Sequence, residues 1–148
     1  MVGLNRNLGK GVLLLGMVAL VIGAVFIGQG IAKNNMIKEA MQVEQITYGG
    51  AEEINGFIDT ATEAELMASV LREHRMDIGV YSELDREDPK RDTILKAMTM
   101  ENTLNLAQLG YGVVTVVIVS GIFMVIIGIA VSGTGLVLYR LGDKVLLG

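Results

Sequence analysis

Val113-Val114-Thr115-Val116-Val117-Ile118-Val119-Ser120-Gly121-Ile122-Phe123-Met124-Val125-Ile126-Ile127-Gly128-Ile129-Ala130-Val131 carries no charge, and the uncharged run extends beyond it in both directions. No Asp, Glu, Lys, Arg or His occurs between Glu101 and Arg140. A helix of that length measures about 57 Å, almost twice the ~30 Å hydrocarbon core of a bilayer. Only part of the run therefore fits in lipid. The expected span is 109–133, helical because every backbone N–H and C=O in lipid needs an internal partner. Tyr111 and Tyr139 lie near its ends, where interfacial aromatics sit. The preceding Asn102–Gly112 is neutral but half polar. It reads as the same helix continuing outside lipid and packing against protein. Gly133-Thr134-Gly135 is expected to end the helix before a tail over 134–148.

A second uncharged run covers Gly11–Ala32. As a helix it reaches about 33 Å, enough to cross. Arg6, Lys10 and the small-x-small triplet Gly30-Ile31-Ala32 imitate a cleavable signal peptide. The run exceeds the usual h-region of about 7–15 residues, so an uncleaved anchor over 11–32 is expected, behind a short tail over 1–10. Between the spans, Lys33–Glu101 holds 8 Lys/Arg against 15 Asp/Glu, a net −7. The outer ends carry Arg6, Lys10, Arg140 and Lys144 against Asp143, a net +3. The excess of Lys and Arg on the ends places both termini in the cytoplasm and the middle, 33–108, outside the cell membrane.

Composition excludes several functions. The chain has 148 residues, 51% apolar and 19% charged, with no Cys, no Trp and one His. Ordinary soluble domains carry about 25% charge. Without Cys there is no disulfide framework, Cys-bound zinc, iron–sulfur cluster or thiol nucleophile. A net charge of −4 argues against a nucleic-acid partner. Neither uncharged run contains an ionisable group of the kind that marks a proton or ion path, so a transporter is not expected.

The fold expected is all-α. Lys33–Ile46 has no breaker and prolongs the first span. Thr47-Tyr48-Gly49-Gly50 and Asn55-Gly56 are turn signals. Thr62 and Glu65 have capping-box spacing. The helix they open carries Met67, Leu71, His74, Ile78 and Tyr81 in one stripe and is expected to end near Asp85. Asp88-Pro89 restarts a helix, Asp as N-cap and Pro at N1, which runs on into the second span. The middle bundle, Lys33–Glu101, is small for an independent core. Oligomerisation or docking to other membrane subunits would compensate. The Met set (Met36, Met41, Met67, Met76, Met98, Met100) suits either such a surface or the bundle's own interior. In the spans, Gly16, Ala19 and Gly23, Ala24 and Gly28, and Gly121, Gly128 and Ser132 fall at helical spacings of small residues that let backbones approach. They fit packing between the two spans or between chains.

The densest polar group is Glu73-His74 with Asp77. Two carboxylates and a histidine could bind a divalent ion and serve a metal-dependent enzyme, but the Glu-x-x-His signature of di-iron bundles is absent. Arg72 and Arg75 flank the group. The simpler reading makes His74 a hydrogen-bonded core or interface residue, with Glu101, Asn102 and Asn105 of the last helix as candidate buried polar partners. No metal or cofactor is expected. The charged turn Ser82–Asp92 lacks the spacing and central Gly of an EF-hand.

The order anchor, Glu44-Gln45-Ile46-Thr47-Tyr48, Tyr81-Ser82-Glu83, then Met98-Thr99-Met100-Glu101-Asn102-Thr103-Leu104 entering a second span resembles a group of uncharacterised two-span bacterial membrane proteins, of the kind found in actinobacteria. Some of that group are labelled ring-opening dioxygenases, but a single His does not furnish an iron site. The resemblance implies topology and bacterial origin. The expectation is a non-catalytic structural or accessory membrane protein in contact with lipid, as a homo-oligomer or a subunit of a larger complex. The alternative is an extracytoplasmic ligand- or partner-binding sensor module that signals through another chain.

Overall fold

The computed structural model describes residues 2–43 and 56–144. Among them there are three α-helices, one short 3-10 turn and no β-strand: α1 Val2–Val43, α2 Ala61–Ile78, the turn Tyr81–Glu83, and α3 Lys90–Lys144. The Thr47–Gly50 turn and the Glu44–Tyr48 motif lie outside the described residues. The chain divides into two compact units, 1–32 with 115–148, and 33–114.

The first unit is a pair of antiparallel helical segments held by glycine. A Cβ built on Gly23 would fall 2.7 Å from the carbonyl oxygen of Gly121, and one on Gly121 would fall 2.8 Å from that of Gly23. Gly16 and Gly128 meet in the same reciprocal way at 2.9 Å, and Gly9 and Gly135 at 3.1 and 3.0 Å. No side chain fits in any of these six places. Numbers rise on one helix as they fall on the other, in steps of seven on both. A heptad step keeps one seam of each helix against its partner through a left-handed crossing. The helix does not end at Gly133-Thr134-Gly135 as expected. Gly133 faces open space, Gly135 is a packing residue, and α3 continues to Lys144. Glycine costs a helix only about 1 kcal/mol of propensity, which close packing offsets.

The second unit is built on side chains. Met41, Ile58, Ala64, Met67, Ala68, Leu104, Ala107 and Tyr111 form its buried core. Ile58, Ile94 and Leu104 are fully enclosed. The α2 cap is two residues earlier than the sequence suggested. Thr60, not Thr62, is the N-cap: its Oγ1 accepts from the Glu63 N–H (3.2 Å), and Glu63 Oε2 accepts from the N–H groups of Thr60 (3.1 Å) and Asp59 (2.9 Å). Lys38 reaches across from α1 to Asp59, the residue before the cap, at 3.0 Å. The helix also ends well before Asp85, at Ile78. Gly79 takes φ +135°, where a side chain would be strained, and its N–H donates to the Arg75 carbonyl. Arg91 then fastens the turn onto α3. Its guanidinium lies 4.0 Å over the Tyr81 ring and donates to the Leu84 carbonyl at 2.7 Å. At the start of α3, Asp88 Oδ1 accepts from the Lys90 N–H at 2.8 Å and the Asp88 carbonyl from the Arg91 N–H at 3.0 Å, the capping role read from Asp88-Pro89.

Candidate functional site

Two features of the second unit invite a functional reading: a charge cluster between α2 and α3, and an apolar groove between α1 and α3. The cluster centres on Glu101. Its side chain is 9% exposed and accepts from Arg72 Nε at 2.6 Å and from Arg75 Nε at 3.2 Å. Arg72 and Arg75 sit three apart on α2, so both guanidinium groups reach one carboxylate. Burial pushes the Glu101 carboxyl up, and the two arginine hydrogen bonds with their charges more than reverse this, leaving it below its ordinary value. A carboxylate so held stays ionised and fixes α2 against α3. Its lone pairs are engaged by arginine, so it is poorly placed to act as a base.

His74 is not part of this cluster. It is exposed on α2, as are Glu73 and Asp77, so it is not a core residue of this chain. Met67 and Leu71 of the expected stripe do face the core, with Ala64 and Ala68, but the inward face then continues to half-buried Arg75 and leaves His74 outside. The partner foreseen for His74, Glu101, is held by arginine. Asn102 is exposed and Asn105 half-buried. Among the described residues no three His, Asp or Glu side chains gather as metal ligands, so Glu73, His74 and Asp77 form no such set.

Of the small residues singled out in the spans, Gly16, Gly23, Gly121 and Gly128 make the backbone contacts described above, and Ala19 is half-buried. Gly28 meets nothing within 4 Å and Ala24 is exposed, so this pair lies off the packing face. Ser132 Oγ is buried against Gly16 without a hydrogen-bond partner among the described residues. Gly9, Gly30 and Gly135 were missed, although the seven-residue series 9, 16, 23, 30 and 121, 128, 135 stands in the sequence. Of the Met set, Met41 and Met67 are core residues, Met100 packs against the core, and Met36, Met76 and Met98 are exposed.

The groove has a volume of about 570 Å³. Its walls come from 33–41 of α1 and 103–114 of α3, with Ala107 and Gly110 among them; Ile37 packs over the bare Cα of Gly110. Among the described residues, Lys33 is the one charged residue lining it.

Set against protein-family models, curated proteins and solved structures, the chain matches none. What the two-span bacterial resemblance implies therefore rests on its motif residues alone.

Proposed function

We propose that this is a small, non-catalytic protein of the cell membrane, crossing the bilayer twice with both termini in the cytoplasm and its middle helices outside. On this reading it works as a structural or accessory subunit, assembling with copies of itself or within a larger membrane complex. The observation that carries this is how little of the apolar surface the chain covers for itself. The helices Asn7–Val43 and Lys90–Gly142 are long and apolar enough to cross a membrane, yet only 11% and 17% of their most apolar windows are buried. Leu15, Val21, Val116 and Phe123 remain 66%, 64%, 66% and 61% exposed. Each such side chain left in water forgoes about 1.5–3 kcal/mol, so lipid or protein must cover them. The seam of glycine pairs supports the same reading, because close backbone packing replaces the hydrophobic drive that lipid removes.

Native mass spectrometry from mild detergent, with identification of co-purifying chains, is the test. Defined oligomers or a reproducible partner are expected. A strictly monomeric particle that brings nothing with it contradicts the assembly reading. A second reading, a ligand-binding module outside the membrane, is favoured by one observation, the groove at Lys33.

A further inference from the structure

We propose that the groove between α1 and α3 of the second unit binds a single-chain anionic amphiphile, a long-chain carboxylate, with its head group on Lys33 and its tail along the apolar walls. The charge pattern argues for this occupant. Lys33 is exposed and makes no ion pair among the described residues; its ammonium has only the Met36 sulfur, at 3.9 Å. The neighbouring cation, Lys38, is already committed to Asp59 at 3.0 Å. Among the described residues, one positive charge without an ion pair therefore stands beside an otherwise uncharged groove, which complements one negative charge on an apolar chain.

The walls fit a tail. Thr103 is the only hydroxyl residue lining the groove among the described residues. Its Oγ1 donates to the Thr99 carbonyl at 3.0 Å, so its hydrogen is engaged by its own helix. Met36 and Leu106, 55% and 70% exposed, stand beside the groove as apolar surface awaiting cover. The lined stretch of α3 is about 16 Å long, and the volume falls within the ~300–1,000 Å³ of small-molecule pockets. The proposal needs neither an orientation in the membrane nor a partner chain, so it can fail while the proposed function stands, and the reverse.

The test is photolysis of the full chain in non-ionic detergent with a diazirine-bearing palmitate analogue, followed by peptide mapping. Label is expected within 33–41 and 103–114. Lys33→Gln should lower it about fivefold, the worth of a partly exposed ion pair, and Lys33→Arg should restore it. Ala40→Phe should fill the groove and abolish the label, with far-UV circular dichroism confirming the helices. If that variant does not fold, the Lys33 pair still decides. Unlabelled palmitate should compete, and hexadecanol about fivefold less well. The proposal is overturned if label spreads along 11–32 and 115–131 regardless of variant, or if hexadecanol competes equally. It is also overturned if Leu106→Cys, the only thiol in an otherwise Cys-free chain, forms a disulfide dimer that palmitate does not diminish. That outcome would assign the face to a second copy.

Discussion

The two units of this chain are held together by opposite means. In 1–32 with 115–148, cohesion comes from removing side chains: three glycine pairs let backbone meet backbone at 2.7–3.1 Å from where a Cβ would stand. In 33–114, cohesion comes from side chains, with Ile58 and Leu104 fully enclosed and Glu101 clasped by two arginines. The difference follows the solvent each unit is proposed to meet. Burying a leucine gains little where the surroundings are already apolar, so close contact and weak polar interactions must serve. A segment in water gains from burying apolar area and can use charge, provided each buried charge is paired.

If that contrast is right, the largest effect should come from adding bulk to the glycine seam. Gly23→Val drives methyl groups into the Gly121 carbonyl and the Val125 backbone. It should cost the first unit about 3 kcal/mol, read as a lower SDS concentration for unfolding in mild detergent. Gly28→Val, on the same helix but in open space, should leave that midpoint nearly unchanged. Equal effects of the two would dissolve the contrast.

Glu101→Gln should come next. It removes the charge that Arg75, 16% exposed, depends on; Arg72, 57% exposed, is more easily rehydrated. A loss of about 2 kcal/mol is expected, below the ~3–5 of a fully buried pair because one partner is solvated. The pH dependence has a fixed sign. The folded carboxyl titrates below its ordinary value of 4.5, so the stabilisation is complete above 4.5 and is lost as pH falls through the lower folded value. Thermal unfolding followed from pH 6 to pH 3 should show the wild type losing stability relative to Glu101→Gln once the pH falls below 4.5.

The smallest of the three is Thr60→Ala. Loss of the cap hydroxyl should cost the second unit about 1 kcal/mol, against almost nothing for Thr62→Ala, compared by thermal melts.

That last pair shows where sequence reading reaches its limit. Both Thr60–Glu63 and Thr62–Glu65 satisfy the capping-box pattern. The structure uses Thr60, next to Asp59 in its ion pair with Lys38 of α1, a tertiary setting that local spacing does not reveal. The two long helices and the all-α class were legible because the uncharged runs Gly11–Ala32 and Asn102–Tyr139 permit little else. The α2 stripe holds at Met67 and Leu71, fails at His74, and reaches Tyr81 only beyond the helix end. After Leu71 the inward position passes to Arg75, which meets Glu101, and not to His74. Periodicity allows a step of either three or four, and what packs opposite decides between them. Helix ends were the weakest point in both directions. Gly79 stopped α2 early because its backbone turns to positive φ, and Gly133 and Gly135 did not stop α3. The glycine series was readable in full, and only its regular step of seven separates packing glycines from the exposed Gly28. The groove was not foreseen, since it arises from two segments far apart in the chain.

The most direct trial of the central claim, two crossings with the charged middle outside, uses the absence of cysteine. Asp77→Cys and Asn7→Cys, both exposed positions, can be treated separately on intact cells with a membrane-impermeant maleimide. Labelling at residue 77 before lysis, with residue 7 reacting only after the membrane is opened, is the predicted result. Labelling at residue 7 alone on intact cells, or a chain recovered in the soluble fraction, would contradict it.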